Sequence, residues 1–515
     1  MRLDGALRYQ AVTQGDSEAL LFEGSRFSWR DLDAGVNRVA NALLALGAQP
    51  GDRVILLMQN SVAFIETYYA LARIGCISAP VMPTLTGTDV TFIANTLRAR
   101  FAIVEAAAAG LWREVADKVP SVEAAIGFGA GHGLPLDFDT LRAAVPADDP
   151  GVDVDPSAPL TVKFTSGTTG TPKGCVRSHV NFTMASVAVQ IETPLRDDDV
   201  GLIAQPFAAG MAVSLLTMYV FKGVRMVVLP QFDAGKYLDL VESERVTHAA
   251  AMDWMARRIS AHPSFPQRDL SSIRILHGIN QLGSLVPIYA QGTFKGGVTA
   301  GYASSEAGGL VTFKTPAEFR RVAADPDYKP GHSNGRPGRL HQIECMDENM
   351  RPLPPNTVGE LAIRGPTVFG GYWERPEETA KVLRDGWLLT GDLAEKDDAG
   401  YLYLRGRKRD MIRTGGLNVY PAEIEPLLVQ YPGVTEAAVI GVPDVEWGER
   451  VVACLVATRE IPEADMLAYC RARFAPHKRP KNVIFFDTFP LTGSGKVMKK
   501  DLIDRVAALL AKETS

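Results

Sequence analysis

The most informative stretch of this sequence is Leu160-Thr161-Val162-Lys163-Phe164-Thr165-Ser166-Gly167-Thr168-Thr169-Gly170-Thr171-Pro172-Lys173-Gly174. A strand-like run passes directly into Thr, Ser and Gly residues and then into Pro-Lys-Gly. Glycines let backbone N–H groups converge on an anion, hydroxyls add donors, and Lys173 adds a positive charge suited to phosphate oxygens. A Ser/Gly linker would not follow a buried-strand pattern, and a Walker A loop would have Ser or Thr after the lysine. The stretch therefore predicts a phosphate-binding loop of another kind.

The chain before this loop alternates helical periodicity with apolar runs. Ser28 and Asp31 form a capping-box pattern ahead of apolar residues at 4,3,4,3 spacing, and Gly47 stands where a left-handed residue would end the helix. The apolar runs at 54–57 and 77–81 are typical of buried parallel strands, and they flank a helix-like stretch at 63–74. This order predicts an α/β fold with ligands at the carboxyl ends of strands.

The last hundred or so residues have the pattern of a separate unit. Shorter strands are predicted at 437–442, 451–457 and 483–486, and helices at 463–474 and 497–511. The charged run from Arg405 to Asp410 lies between the two parts and suggests a hinge. We therefore predict two domains, 1–407 and 408–515.

Composition excludes several classes of protein. The chain has 515 residues, 46% of them hydrophobic, and a net charge of −5, which argues against a nucleic-acid-binding surface. No apolar stretch is long enough to span a bilayer, and the N-terminus lacks the apolar region of a secretory signal. Its five cysteines are widely scattered, so neither a disulfide framework nor a zinc site is indicated. We expect a soluble cytoplasmic enzyme.

Four further segments carry residues that nucleotide activation needs. They are Gly301-Tyr302-Ala303-Ser304-Ser305-Glu306, Gly386-Trp387-Leu388-Leu389-Thr390-Gly391-Asp392, Gly406-Arg407 and Pro490-Leu491-Thr492-Gly493-Ser494-Gly495-Lys496. An aromatic ring can stack on a base, one carboxylate can bind Mg²⁺ and another can bind ribose hydroxyls. Two cations, Arg407 and Lys496, can face the charge that develops at phosphorus. Taken singly, each is more often a core or surface residue.

Together, the segments resemble the AMP-forming adenylating superfamily of acyl-CoA synthetases, adenylation domains and luciferases, and its acyl-CoA synthetase branch in particular. The resemblance runs from Gly51-Asp52 to Lys496 and includes Val358-Gly359-Glu360-Leu361, Gly371-Tyr372-Trp373 and Gly415-Gly416-Leu417-Asn418-Val419. It implies a large N-terminal domain of stacked α/β sheets and a small, mobile C-terminal α+β domain. It also implies two reactions: a carboxylic acid and ATP give acyl-AMP, and a thiol, usually that of coenzyme A, then displaces AMP.

The resemblance also assigns roles to residues. The phosphates of ATP would be held by Thr165, Ser166, Gly167, Thr168, Thr169, Gly170 and Lys173, with Thr168 and Glu306 near Mg²⁺. Tyr302 would pack on adenine, with Ser305 in the same nucleotide site, and Asp392 and Arg407 would bind ribose. Lys496 would bridge the substrate carboxylate and the α-phosphate, acting electrostatically. The catalytic residues are thus Lys496, Glu306, Arg407 and Lys173.

Further roles belong to the thiol reaction. In proteins of this family the small domain rotates between the two reactions about a hinge that corresponds to Arg409, where Asp or Lys is more usual. The positions matching the coenzyme A site are Gly415, Gly416, Trp447, Arg479 and Lys481. A patch of solvated basic residues is the ordinary alternative for the segment His477-Lys478-Arg479-Pro480-Lys481.

The sequence departs from the family where the acyl group should lie. The segment Pro206-Phe207-Ala208-Ala209-Gly210-Met211 has alanines in place of bulky residues and lacks the histidine that helps gate the thiol tunnel. Ala303 replaces the usual glycine, and Gly278-Ile279-Asn280-Gln281 replaces a Gly-Gly-Ala-like stretch. The resulting acyl-pocket set is Phe207, Ala208, Ala209, Met211, Gly278, Asn280 and Ala303. We expect a bulky acid, aryl or polycyclic, or a medium or long acyl acid, unless neighbouring side chains refill the space.

Several alternatives stay open. An amino-acid substrate would need a buried carboxylate for its ammonium group, and Asp253, the nearby candidate, is better suited to capping a helix. The acceptor could be an acyl carrier protein instead of coenzyme A, and a non-catalytic nucleotide-binding protein is the third possibility. We expect His179 to be a structural residue at a helix start. The sequence does not decide whether the chain forms a homodimer.

Overall fold

The computed structural model describes residues 2–165, 172–278, 282–325, 327–491 and 497–513. By packing, the chain divides into two compact units. The first comprises Met1–Ile343, Ile363–Leu388 and Gly400–Leu402, and the second comprises Glu344–Ala362, Leu389–Ala399 and Tyr403–Ser515. These units are defined by packing and each combines several segments, whereas the predicted domains 1–407 and 408–515 are continuous mobile bodies. The domain boundaries therefore stay a prediction.

Helices occur throughout the described chain. The α-helices are α1 (Asp4–Thr13), α2 (Trp29–Ala45), α3 (Val62–Ile74), α4 (Gly87–Leu97), α5 (Ala109–Val115), α6 (Phe138–Ala143), α7 (His179–Glu192), α8 (Met211–Lys222), α9 (Ala234–Ser243), α10 (Asp253–Ser260), α11 (Leu282–Ala290), α12 (Pro316–Ala324), α13 (Pro376–Val382), α14 (Pro421–Leu428), α15 (Glu463–Arg473) and α16 (Lys499–Glu513). Short 3₁₀ turns include Phe207–Ala209 and Lys408–Asp410.

Strands alternate with these helices. They are β1 (Glu18–Phe22), β2 (Ser25–Ser28), β3 (Arg53–Leu57), β4 (Ile77–Val81), β5 (Phe101–Glu105), β6 (Ala124–Phe128), β7 (Leu136–Asp137), β8 (Pro159–Thr165), β9 (Lys173–Ser178), β10 (Val200–Ile203), β11 (Arg225–Val228), β12 (His248–Ala250), β13 (Ile275–His277), β14 (Gly297–Thr299), β15 (Ala303–Ser304), β16 (Gly309–Leu310), β17 (Thr312–Phe313), β18 (Arg336–Pro337), β19 (Gln342–Met346), β20 (Gly359–Arg364), β21 (Gly371–Tyr372), β22 (Leu383–Arg384), β23 (Trp387–Lys396), β24 (Leu402–Arg407), β25 (Ile412–Thr414), β26 (Leu417–Val419), β27 (Val434–Asp444), β28 (Gly448–Ala457) and β29 (Asn482–Phe485). The mixture confirms the predicted α/β class.

Two large sheets organise the first unit. One has the order β21-β9-β8-β4-β3-β5-β6-β7, and the other has the order β14-β13-β12-β10-β11-β1-β2. In the eight-stranded sheet β3 is parallel to both β4 and β5, whereas β9 returns antiparallel to β8. The side chains of 54–57 are completely buried, as the continuous apolar run predicts for a parallel strand.

The local signals in the first part of the chain are confirmed. Ser28 caps α2 with a reciprocal capping box, since its hydroxyl accepts from the Asp31 N–H and its own N–H donates to the Asp31 carboxylate. Gly47 follows this helix at φ +85°, where a side chain would be strained. His179 begins α7, is buried, and accepts the Leu3 N–H at its Nδ1 over 3.3 Å, so its predicted structural role is also confirmed.

The second unit contains the smaller sheet that the sequence predicts. Strands β26-β25-β28-β27 lie in that order, and β29 pairs with β28. The long hairpin of β27 and β28 runs from Val434 opposite Ala457 to Asp444 opposite Gly448. Helices α15 and α16 confirm both helices predicted at the end of the chain, to within two residues at each boundary.

Candidate active site

Strands β8 and β9 flank the predicted phosphate loop. Thr165 and Lys173 stand opposite each other in the ladder at the end of this hairpin. The residues between them that were assigned to ATP, Ser166, Gly167, Thr168, Thr169 and Gly170, lie outside the described residues. The ammonium of Lys173 forms an ion pair with Glu378 and lies 5.0 Å from the centre of the Tyr372 ring. The positively charged Lys173 side chain therefore lies where the predicted phosphate loop joins β9.

Glu306 is linked to the same place through Tyr372. The Tyr372 hydroxyl donates to Glu306 Oε1 over 3.1 Å, and Tyr372 pairs with Cys175 beside Lys173 on the sheet. Burial, together with the nearby Glu306 charge, raises the pKa of Tyr372 well above its usual value, so its hydroxyl stays a donor. Mg²⁺ binds carboxylate and phosphate oxygens. A carboxylate and an ammonium that both contact one tyrosine are the groups that a magnesium–phosphate pair requires.

Tyr302 and Ser305 lie directly before and directly after the short strand β15. Tyr302 is buried, and its N–H donates to Thr312 Oγ1 over 2.7 Å. A Cβ at Gly301 would lie 1.7 Å from the Thr312 carbonyl oxygen, so only glycine allows this approach of the two segments. Ser304 Oγ accepts from the Ala307 N–H over 3.0 Å and thereby fixes the chain between Tyr302 and Glu306.

Within the second unit, the two residues assigned to ribose are brought together. Arg407 Nε lies 2.8 Å from Asp392 Oδ1, and Arg407 Nη1 is 3.4 Å from the Thr390 carbonyl oxygen. The Asp392 side chain is 10% exposed and that of Arg407 40%, so the carboxylate is sheltered while the guanidinium reaches solvent. A carboxylate oriented in this way can accept from ribose hydroxyls.

The residues assigned to coenzyme A also meet within the second unit. Gly415 and Gly416 form a two-residue turn between β25 and β26, both at positive φ (+56° and +79°), which this kind of turn requires. The Trp447 carbonyl accepts the Gly415 N–H over 2.8 Å, and Lys481 Nζ lies 4.3 Å from the centre of the indole ring. Arg479 instead donates its Nε to the Phe474 carbonyl over 2.8 Å. The turn, the indole and Lys481 are a chemically suitable set for a nucleotide that carries phosphates.

A cavity of about 420 Å³ lies in the first unit, within the range of small-molecule sites. Its wall includes the predicted acyl-pocket residues Phe207, Ala208, Ala209, Met211, Gly278 and Ala303, whereas Asn280 lies outside the described residues. Phe207 is buried and stacks on Phe64 with ring centres 4.7 Å apart, so it forms a wall and does not fill the space. Gly278 has φ +94°, and a Cβ there would stand 3.0 Å from Met211 Cε.

A buried chain of polar groups reaches the cavity wall at His277. His277 Nε2 is 2.8 Å from His248 Nε2, and His248 Nδ1 is 2.8 Å from the Tyr219 hydroxyl. Burial lowers the pKa of His277 to about 4 and that of His248 well below its usual value, so both rings are neutral at pH 7. His277 Nδ1 is buried and has no hydrogen-bond partner among the residues that the structure describes.

Four residues of this site received no role from the sequence: Lys163, Arg177, His277 and Tyr372. Lys163 and Arg177 line the cavity, and their local signal is that each is a charged residue within a strand. Tyr372 stands in the segment Gly371-Tyr372-Trp373 that carries the resemblance, but its contact with Glu306 joins residues 66 positions apart. His277 gives no local signal, since its partner His248 is 29 positions away.

Three further residues were assigned roles from the sequence: Lys496, Arg409 and Asp253. Lys496 lies outside the described residues. Arg409 lies in the turn Lys408–Asp410, with Nε 3.3 Å from Asp410 Oδ1. Asp253 is the first residue of α10 and Met252 is the N-cap, so the expected capping role of Asp253 is wrong by one position. Asp253 is not among the described residues that line the cavity.

The described residues contain neither a cluster of metal ligands nor a membrane-spanning helix. No group of three or more His, Cys, Asp or Glu side chains there is placed to hold a metal ion. No helix in the described ranges has the length and apolar character that crossing a membrane requires.

Comparison with known proteins identifies the family to which the chain belongs. The family model of the AMP-binding enzymes matches residues 7–373, and the model of their C-terminal domain matches residues 423–496. A long-chain-fatty-acid–CoA ligase of Mycobacterium tuberculosis is 34% identical over 95% of this chain and 94% of its own. A feruloyl-CoA synthase of an Amycolatopsis species is 36% identical over 93% and 94%. The solved structure of a Mycobacterium tuberculosis fatty acyl CoA synthetase covers 99% of both chains at 32% identity, with a TM-score of 0.79.

The chain belongs to the AMP-binding enzyme family. It is an AMP-forming acid–thiol ligase, which confirms the predicted recognition and enzyme class. The predicted cofactors ATP, Mg²⁺ and coenzyme A agree with its similarity to coenzyme A ligases and to an o-succinylbenzoate coenzyme A synthetase of Bacillus subtilis that was solved with ATP and magnesium. The predicted fold, a large N-terminal α/β domain with a small C-terminal domain, is confirmed as well. The individual site residues stay predictions.

Proposed function

We propose that this ligase activates a bulky carboxylic acid, aryl, polycyclic or of medium to long chain, and transfers it to coenzyme A. The observation that carries this proposal is the cavity itself. Ala208, Ala209 and Ala303 lie on its wall, and the cavity has a volume of about 420 Å³. The neighbouring side chains have therefore not refilled the space. A small acid such as acetate would leave most of this volume without contacts.

Most of the candidate site residues would bind the nucleotide, and Lys496 would act on the reacting acid. Lys173 and Glu306 would hold the phosphates and their Mg²⁺, which neutralises charge on the phosphate oxygens when bound. Asp392 and Arg407 would orient the ribose, and Tyr302 would pack on adenine. Lys496 would stabilise the charge that develops while the acid attacks the α-phosphate, without itself forming a bond.

Transfer to coenzyme A would use the second unit. The Gly415-Gly416 turn, Trp447 and Lys481 lie together and offer backbone N–H groups, an aromatic face and a positive charge. Arg409 would act as the hinge, and 408–515 as the mobile domain. Three further predictions remain: an acyl carrier protein as the alternative acceptor, a homodimer and a cytoplasmic location.

A panel of acids tests the acid class. Thioester formation would be measured with acetate, octanoate, palmitate, a cinnamate and a polycyclic acid, each with coenzyme A and with a phosphopantetheine-loaded carrier protein. We expect kcat/KM with coenzyme A to be highest for an aryl, polycyclic or longer-chain acid and lowest for acetate. Acetate as the best substrate would contradict the proposed acid class. Transfer to the carrier protein alone would contradict coenzyme A as the acceptor.

A further inference from the structure

Arg177 is a charged side chain on the cavity wall that has no role in the proposed function above. Arg177 lies on β9 opposite Thr161 of β8, and Cys175 lies opposite Lys163. Opposed residues of an antiparallel pair, and residues two apart along a strand, share one face of the sheet. The four side chains therefore project to the same face, and all four line the cavity.

Arg177 is deeply buried but poorly paired. The residue is 7% exposed, and within the described part of the chain its Nε has no hydrogen-bond partner. Its Nη2 is 3.4 Å from the Asn181 carbonyl oxygen, and its guanidinium lies 3.7 Å from the centre of the Phe182 ring. Among the described residues, no Asp or Glu carboxylate lies within 4.0 Å of it. These contacts position the guanidinium but leave its charge without a counter-ion.

Another buried arginine shows the usual arrangement. Arg73 is completely buried, with Nη2 2.6 Å from Asp33 Oδ1 and Nη1 2.5 Å from Asn37 Oδ1. Buried charges are normally paired in this way, because removing an ion from water without a partner is expensive. Burial lowers the pKa of Arg177 to about 10, so the side chain is still charged at pH 7. An unpaired charge at a cavity wall is the arrangement that a bound anion completes.

The charge of the cavity wall also favours a bound anion. Lys163 contributes a second basic side chain, whose ammonium donates to the Ala209 carbonyl, and no Asp or Glu occurs among the described lining residues. A planar guanidinium matches a carboxylate with two parallel hydrogen bonds. We propose that the acid activated by this enzyme carries a second carboxylate, which binds to Arg177, so that the preferred substrates are dicarboxylic acids. This inference rests on the proposed function and names the substrate class more narrowly.

The position of Arg177 also fixes which carboxylate it binds. Arg177 lies four residues beyond Lys173 along β9, which corresponds to roughly 13 Å at the usual rise of a strand. Lys173 marks the phosphate end of the site, so Arg177 is remote from the reacting carboxylate. The two carboxylates of the substrate should therefore be separated by an alkyl or aryl spacer.

Matched pairs of acids test the proposal. Each α,ω-dicarboxylic acid from succinate to sebacate, and an aryl dicarboxylate, would be compared with the monocarboxylic acid of the same skeleton in acid-dependent pyrophosphate–ATP exchange. The variants are Arg177→Met, Arg177→Lys and, as a control in the same sheet, Arg53→Met, since Arg53 donates to the carbonyls of Leu97, Gly51 and Arg98 outside the cavity.

We expect the wild-type enzyme to favour a dicarboxylic acid over its matched monocarboxylic acid. Arg177→Met should lower kcat/KM for that diacid by about 10- to 100-fold, the usual worth of a charged hydrogen-bonded pair, and leave the monoacid nearly unchanged. Arg177→Lys should recover part of the loss, and Arg53→Met should preserve the preference.

The results that would contradict the dicarboxylate proposal differ from those that would contradict the proposed function. A wild-type preference for the monoacid, or an equal loss of both acids in Arg177→Met, would overturn the dicarboxylate proposal while adenylation itself stands. The wild-type comparison decides even if Arg177→Met does not fold. Absence of exchange with every acid would instead overturn the proposed function, and the dicarboxylate proposal with it.

Discussion

At the scale of single residues, Glu306 shows how the site combines charge with orientation. Its carboxylate is positioned by the Tyr372 hydroxyl, and the Tyr372 ring in turn lies beside the Lys173 ammonium. One tyrosine thus contacts both a negative and a positive group. The motif around Glu306 and the segment Gly371-Tyr372-Trp373 could each be recognised from the sequence. Their contact could not, because Glu306 and Tyr372 are 66 residues apart and Tyr372 is positioned by the pairing of β21 with β9.

The charge of Glu306 can be tested apart from its position. Glu306→Gln keeps an oxygen that can accept from Tyr372 but removes the negative charge, so folding should be preserved while binding of the magnesium–phosphate group is weakened. We expect pyrophosphate–ATP exchange to fall by about 100-fold, as for loss of one preorganised electrostatic group. Tyr372→Phe is the matched control, since it removes the hydroxyl and keeps the charge. A larger loss in Tyr372→Phe than in Glu306→Gln would contradict the assigned role.

At the scale of elements, the hairpin of β8 and β9 carries both ends of the candidate site. Its tip leads into the phosphate loop, and its inward face carries Thr161, Lys163, Cys175 and Arg177 along the cavity. The strand was predicted from the sequence because its signal is local, whereas the phosphate loop that follows it stays a prediction. The face that points inward could not, because it depends on the register with β9 and on the side of the sheet that the cavity occupies.

The turn Lys408–Asp410 is the element to which the hinge assignment applies. Proline fixes φ near −65°, so Arg409→Pro should restrict backbone rotation there, whereas Arg409→Ala removes the same side chain without that restriction. We expect Arg409→Pro to slow thioester formation by about tenfold or more, as loss of a conformational step would, while exchange of pyrophosphate stays close to wild type. Arg409→Ala should affect neither reaction strongly. Equal loss of both reactions in Arg409→Pro would count against the hinge.

At the scale of the whole molecule, the order of the motifs was sufficient to identify the family. The substitutions to alanine predict an enlarged acyl pocket, which stays a prediction. The cavity itself could not be derived from the sequence. Its wall brings together β8, β9, the turn Phe207–Ala209, α8 and the ends of β13 and β15, which are distant along the chain. The unpaired charge of Arg177 and the buried Nδ1 of His277 become visible only when these elements are assembled.

The measurement that tests the central claim most directly is acid-dependent exchange of labelled pyrophosphate into ATP, with wild-type enzyme, Lys496→Ala and Lys500→Ala. Exchange requires only acid, ATP and Mg²⁺, so it reports formation of acyl-AMP apart from thiol transfer. We expect exchange with at least one bulky acid, a loss of about 100-fold or more in Lys496→Ala, and little change for the exposed Lys500. Absence of exchange with any acid, or full exchange in Lys496→Ala, would contradict the account.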